Sequence, residues 1–126
     1  MSDLASEKKI LKQLLQTVSD VLFPDQLGEK TVEINSRDSD GDTPLHILIR
    51  RNDVHGVEVL ISAGANVNAA GDMGEMPLHV AITMRNLEII QLLLSAGADV
   101  NIACEFGDTP KQRASKQGME ISRLFE

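Results

Sequence analysis

A period of thirty-three residues constrains the fold of this 126-residue chain more than any other feature of its sequence. Thr43, Met76 and Thr109 are spaced by that interval, and they open the strings TPLH, MPLH and TPKQ. Between them, LISAGANVN at residues 60–68 returns as LLSAGADVN at residues 93–101. Self-similarity at a fixed period of about 20 to 50 residues is the sequence signature of stacked repeats. The chain is therefore predicted to be a single domain in which each repeat buries the apolar face of its neighbour.

One repeat reads as a turn, a helix, a loop and a second helix. Thr43 followed by Pro44 is a helix-start signal, because a hydroxyl can cap the helix and proline fits its first position. The polar run at residues 50–53 ends this first helix. Apolar residues then recur at helical spacing from Val54 until Gly64, which suits the left-handed closing position. The Asp- and Gly-rich residues 38–42 predict a tight turn before the first helix.

These positions closely resemble the ankyrin repeat family. The matching residues of the first unit are Asp38, Gly41, Thr43-Pro44-Leu45-His46 and Gly64-Ala65-x-Val67-Asn68, and those of the second are Gly74, Pro77-Leu78-His79, Ala81 and Gly97-Ala98-Asp99-Val100-Asn101. The resemblance covers residues 32–126 and implies an all-α solenoid of stacked helix pairs with hairpin-like turn tips. The departures are Met76 in place of the capping Thr, Leu48 in place of Ala, and Asn52 and Arg85 in place of Gly.

Residues at the two ends are predicted to cap the stack. Residues 4–23 lack Pro and Gly and carry apolar residues at helical spacing, so residues 1–31 are predicted to form a capping helix and loop. A partner-binding or membrane-surface role for this helix is the alternative, although it lacks a strongly basic face. Full repeats follow at residues 32–68 and 69–101. In residues 102–126, Lys111, Gln112 and Arg113 replace apolar or His residues and are expected to face water. The stack is thus expected to be closed at both ends.

Composition restricts the classes of partner. Twelve basic and nineteen acidic residues give a net charge of −7, which disfavours nucleic acid and anionic membranes. The sequence has neither a secretory signal nor an apolar run near the roughly 20 residues that cross a bilayer. The single Cys104 cannot form an internal disulfide, which agrees with a reducing compartment. A cytoplasmic location is expected.

No catalytic residue, cofactor or metal is predicted. His46 and His79 occupy equivalent positions of stacked helices, whose axes lie about 8 to 10 Å apart, so they are predicted to be structural and not to share a metal. The DSDGD turn fails the calcium-loop pattern, because Ile47 stands where a bidentate Glu is required. Cys104 lies beside Glu105 and is expected to have no His nearby, which predicts an unreactive thiol. The protein is not expected to be an enzyme.

The resemblance implies that protein partners bind the turn tips and the exposed side of the first helices, which together form one concave surface. Carried onto this sequence by register, the partner-binding candidates are Asp40, Asp42, Arg50, Arg51, Asp72, Met73, Glu75, Met84, Glu105, Phe106 and Asp108. Six of these are acids, expected to form an exposed row along the tips, with Met73, Met84 and Phe106 among them. Apolar anchors ringed by charge are typical of binding hot spots. The alternative is that the acids only keep the rim solvated.

The predicted function is a non-catalytic protein–protein interaction module that is monomeric when unbound and binds a partner with a basic surface. One alternative is a dedicated inhibitor or immunity-type protein that occludes a single cognate enzyme or toxin. Another alternative is a structural, self-assembling subunit that uses the long first helix as its contact.

Overall fold

The computed structural model describes Gln13 and residues 37–125. Gln13 is helical and is the one described residue of the segment predicted as an N-terminal capping helix. The rest of that prediction lies outside the described residues.

Residues 37–125 form three successive helix pairs. The first pair is α1 (Pro44–Arg50) and α2 (Val54–Ser62), and the second is α3 (Pro77–Met84) and α4 (Leu87–Ser95). The third pair is α5 (Pro110–Ser115) and α6 (Met119–Ser122). Short 3-10 turns lie at Asp72–Gly74 and Arg123–Phe125. Because no strand occurs within residues 37–125, the predicted all-α solenoid is confirmed over this range.

The helices stack in two layers. The first helices α1, α3 and α5 pack side by side as an inner layer, and α2 packs against α4 in the outer layer. The space between the layers is filled by aliphatic side chains with almost no exposed surface, among them Leu48, Leu60, Ile82, Ile90 and Leu93. Burying each such side chain contributes about 1.5 to 3 kcal/mol. Most of these contacts are made between helices, so the stability of each repeat depends on its neighbours.

The turn tips are closed in the same way in all three repeats. A backbone N–H donates to the carbonyl oxygen four residues later, in the pairs Asp38–Asp42 (2.9 Å), Gly71–Glu75 (2.8 Å) and Cys104–Asp108 (3.0 Å). Neighbouring tips are also joined, since the Glu105 N–H donates to the Met73 carbonyl at 2.9 Å. The tips therefore form one continuous edge of the stack.

A left-handed residue follows each inner helix. The backbone φ is +55° at Asn52, +57° at Arg85 and +104° at Gly118, which are equivalent positions. Asn52 and Arg85 thus adopt the conformation that the family assigns to Gly. The helix α1 ends at Arg50, in the polar run of residues 50–53 where the sequence predicts its end.

Substitutions of Asn52 test this strain. Asn52→Ala should lower the free energy of unfolding by about 1 kcal/mol relative to Asn52→Gly, because a Cβ disfavours the left-handed region. Both variants lose the 3.3 Å hydrogen bond from the Asn86 side chain to Asn52 Oδ1, so the comparison isolates the backbone. Urea denaturation measures the difference, and equal stabilities would contradict the assignment.

Candidate protein-binding surface

Buried histidines fix the tips to the inner helices. The imidazole of His46 is fully buried, and its Nδ1 accepts the Thr43 backbone N–H at 3.2 Å and lies 2.8 Å from the Thr43 hydroxyl. Because Nδ1 is an acceptor, Nε2 carries the proton and donates to the Glu75 carbonyl at 2.8 Å. Burial lowers the pKa of His46, so the ring is neutral. His46 therefore connects its own turn to the tip of the next repeat.

His79 repeats this arrangement one unit later. Its Nδ1 accepts the Met76 N–H at 3.0 Å, and its Nε2 donates to the Asp108 carbonyl at 2.9 Å. Burial lowers the pKa of His79 as well. In the third repeat the Gln112 side-chain oxygen accepts the Thr109 N–H at 2.9 Å. This bond replaces the one that the histidine Nδ1 accepts within its own turn in the first two repeats. The predicted structural role of both histidines is confirmed.

Asp42 is not the exposed tip residue that the sequence predicts. Only 5% of its surface is exposed, and its carboxylate accepts the Asp72 N–H at 2.9 Å and forms an ion pair with Arg50. Burial acts to raise the pKa of Asp42, but the bonds from Asp72 and Arg50 outweigh it and hold the pKa below its usual value. Asp42 therefore joins two adjacent tips.

Arg113 is also placed differently from the prediction. Lys111 and Gln112 are exposed as expected, but the Arg113 side chain is only 13% exposed. Its guanidinium holds both carboxylate oxygens of Asp108, at 2.8 and 3.0 Å, forms an ion pair with Glu75, and donates to the Thr83 hydroxyl at 3.2 Å. The bond from Arg113 holds the pKa of Asp108 well below its usual range. Arg113 turns inward because two carboxylates neutralise its charge there.

These pairs divide the predicted acidic row in two. The equivalent acids Asp42, Glu75 and Asp108 are largely buried and paired with arginines. Within residues 37–125, the other three acids of the predicted row form no ion pair: Asp40 and Glu105, which are exposed, and Asp72, which is half-buried. The free negative charge of the surface therefore lies at the outermost part of the tips.

Two large apolar side chains stand beside these free acids. Met73 is 43% exposed and Phe106 is 65% exposed, at equivalent positions of adjacent tips. The backbone φ of Met73 is +58°, which is rare for a residue with a long side chain. Met84, the third apolar candidate, is half-buried and packs against the core. Met73 and Phe106 thus form the exposed apolar part of the surface.

Exposed cations lie at the far ends of the inner helices. Arg51 and Lys116 are exposed, and neither forms an ion pair within residues 37–125. Arg85 is exposed as well and donates to the Gln117 carbonyl and side-chain oxygens at 2.7 and 2.9 Å. Arg85 was not among the sequence candidates, because the family pattern marks its position only as a helix end.

Comparison with protein families agrees with this architecture. A family model described as ankyrin repeats, in three copies, matches residues 3–104, most of the chain. The chain belongs to the ankyrin repeat family. Ankyrin repeats are generally protein–protein interaction modules, and the family is typically non-enzymatic. A comparison with curated proteins gave no significant match.

One side-chain cluster of this ankyrin repeat stack has the composition of a metal site. The ligating atoms of His79, Cys104 and Asp108 lie within 4.8 Å of one another, so the expectation that no His lies near Cys104 is wrong. The Cys104 thiol donates to Asp108 Oδ1 at 3.1 Å, and both nitrogens of His79 are already bonded. Arg113 also places its positive charge against Asp108 and Cys104. The contacts of this cluster close the third tip.

A separate surface feature lies on the outer helices. A shallow groove between the outer helices α2 and α4 is lined by Val54, Glu58, Glu88, Gln91, Leu92 and Ser95, and none of these is a partner-binding candidate. Among the described residues, no helix has the length and apolar character needed to cross a membrane.

Proposed function

We propose that this ankyrin repeat chain binds a protein partner through Met73 and Phe106 at its tips and through the adjoining face of its inner helices. The observation that carries the proposal is the backbone of Met73. A non-glycine residue in the left-handed region costs about 1 to 3 kcal/mol, and such strain clusters at functional sites. Met73 gains no core burial in return, because 43% of its surface is exposed.

Phe106 supports the same face. An aromatic ring that is 65% exposed contributes little to folding, but it supplies a large area for burial against a partner. The free acids Asp72 and Glu105 directly precede Met73 and Phe106 in the chain, and Asp40 lies in the tip of the first repeat. Charges at the rim of an interface mainly accelerate encounter. A partner with basic residues beside an apolar pocket or ridge fits this combination.

Met73→Gly should change stability and binding in opposite directions. Its free energy of unfolding should rise by about 0.5 to 1 kcal/mol, because glycine adopts the left-handed backbone without strain. Its affinity for the partner should fall about tenfold or more, as for loss of a hot-spot side chain. The partner is first captured on the immobilised chain and identified, and its affinity for each variant is then measured by calorimetry.

Phe106→Ala should weaken the same complex by about tenfold or more while leaving stability nearly unchanged. Met119→Ala is the matched control, since Met119 is 70% exposed but lies on α6, away from the tips. Wild-type affinity in both tip variants would show that a different face binds the partner.

Two narrower functions, inhibition of one enzyme and self-assembly, are tested with the captured partner and with the isolated chain. If the captured partner is an enzyme that loses activity on stoichiometric addition of the chain, the function is inhibition by occlusion. Light scattering of the isolated chain distinguishes a monomer from a self-assembling subunit. A reducing, cytoplasmic setting is proposed with the module, because its one cysteine is a free thiol.

A further inference from the structure

Two rows of opposite charge border the proposed binding face. We name Asp40, Asp72 and Glu105 the tip row, and Arg51, Arg85 and Lys116 the helix-end row. Each repeat contributes one residue to each row. Within residues 37–125, no member of either row has an oppositely charged partner.

The charged groups between the two rows are paired with one another, three acids with two arginines. Asp42 pairs with Arg50, and Arg113 pairs with both Glu75 and Asp108. The side chains of Arg113, Glu75 and Asp108 are only 13%, 19% and 20% exposed. A partner therefore meets unpaired negative charge along one edge of the face, a strip of ion-paired side chains in the middle and unpaired positive charge along the other edge.

The separation of the rows suggests the shape of the partner. The tips precede the inner helices and the helix-end row follows them, and α1 and α3 contain seven and eight residues. At 1.5 Å per residue the inner helices that lie between the rows are roughly 10 to 12 Å long, which is enough to span the width of an α-helix with its side chains. Three stacked repeats present a length of roughly 20 Å, or about fourteen helical residues.

We infer that the partner presents an amphipathic helix laid across the three repeats, with Lys or Arg facing the tip row, apolar residues over Met73 and Phe106, and Asp or Glu facing the helix-end row. This inference rests on the proposed function and makes it more specific. It differs from the partner with a basic surface that the acidic tips predict, because it adds acidic residues on the side of the helix ends.

The helix dipole offers a simpler explanation for the helix-end row, because cations stabilise helix C-termini. That explanation suits Arg51 and Lys116 taken singly. The helix dipole does not explain why position 85 is an arginine. The backbone φ there is +57°, and a glycine would relieve the strain. Arg85 is hydrogen-bonded to Gln117, but its charge has no acidic partner within residues 37–125. The recurrence of one such cation in each repeat favours a shared ligand.

Two stapled fourteen-residue helical peptides test the inference. Both carry Leu along one stripe; the first has Lys on one edge and Glu on the other, and the second has Lys on both edges. Stapling is needed because isolated helices of this length are marginal in water. The mixed-charge peptide should bind the wild-type chain about three- to tenfold more tightly, although the all-Lys peptide is the more attracted by net charge. The preference should shrink as salt is raised, because exposed charges are screened.

Charge-matched variants locate the effect. Arg51→Gln with Lys116→Gln removes two of the three cations of the helix-end row and should remove most of the preference for the mixed-charge peptide. Gln91→Glu with Ser95→Glu changes the net charge by the same amount on the outer helices and should preserve the preference. Whenever either peptide binds the wild-type chain or a variant, the amide chemical shifts of Met73 and Phe106 should change.

Equal or tighter binding of the all-Lys peptide, an unchanged preference in the Arg51 and Lys116 variant, or no binding of either peptide at millimolar concentration overturns the inference. The proposed function is judged separately, by whether the captured partner depends on Met73 and Phe106. If that dependence holds and the peptide preference is absent, only the charge inference fails. If both are absent, the proposed function fails with it.

Discussion

Replacing Arg113 with Ala is expected to lower the free energy of unfolding by about 2 to 3 kcal/mol. The substitution leaves Glu75 and Asp108 as adjacent carboxylates, each about one-fifth exposed, without a counter-charge. Removing one partner of a buried ion pair costs about 3 to 5 kcal/mol, and the partial exposure of this group reduces that figure. The bond to the Thr83 hydroxyl, which connects repeat three to repeat two, is lost as well.

Two further variants show whether charge or geometry accounts for the loss. Arg113→Lys keeps the charge but cannot hold both oxygens of Asp108 in a fork, so about half of the destabilisation should remain. Lys111→Ala, on the exposed side of the same helix, should change stability by less than about 0.5 kcal/mol. Urea denaturation at pH 7.5 measures all three, and an Arg113→Ala variant as stable as Lys111→Ala would refute the ion-pair assignment.

Acidification should destabilise the stack in two stages, the first beginning near pH 6.5. Burial lowers the pKa of His46 and His79, so between the unfolded and folded pKa values the unfolded chain binds protons that the folded chain does not. Stability is therefore highest above pH 7 and falls with decreasing pH by up to about 1.4 kcal/mol per pH unit for each histidine.

The second stage begins near pH 4. The pKa values of Asp42 and Asp108 are held below their usual range, so their contribution is present above the unfolded carboxyl pKa of about 3.9 and is lost as the pH falls through the folded values. Unfolding free energies measured by urea from pH 8 to pH 3 should show both declines.

A histidine variant identifies the first stage. His46→Gln copies the residue of the third repeat, and it should reduce the slope between pH 6.5 and 5 because one titrating ring is gone. Its stability at pH 8 should be lower by about 0.5 to 1.5 kcal/mol, since the Glu75 carbonyl loses one of its two donors. Met119→Ala, which removes an exposed side chain that carries no titratable group, is the control and should leave the slope as it is. A wild-type slope in His46→Gln would argue against the proposed role of burial.

The sequence predicts the parts of this fold that are encoded locally. Pro44 and Pro110 begin inner helices as expected, and Gly64 takes the left-handed conformation with φ of +97°. The thirty-three-residue period also places His46 and His79 correctly in the turn network. Each of these features depends on a few neighbouring residues and on the stacking that the repeat implies.

The electrostatics of the candidate site could not be read in this way. Arg113 pairs with Glu75, which is thirty-eight residues away in the chain, and this pairing depends on the side-chain directions of two stacked repeats. For the same reason, the sequence predictions that Asp42 is exposed and that no His lies near Cys104 are wrong. The strained backbone of Met73 also escaped prediction, since its neighbour Gly74 alone satisfies the family pattern.

The bonds between neighbouring tips affect the entropy of binding. Turns that move independently lose conformational freedom when a partner orders them, and each immobilised side chain adds about 0.5 to 1.5 kcal/mol to that cost. Here the Met73 carbonyl is bonded to the Glu105 N–H, and the Asp72 N–H is bonded to the Asp42 carboxylate. The backbone beneath the two anchors is thus preorganised. A partner has to immobilise little more than the Met73 and Phe106 side chains, so a small contact area can support a long-lived complex.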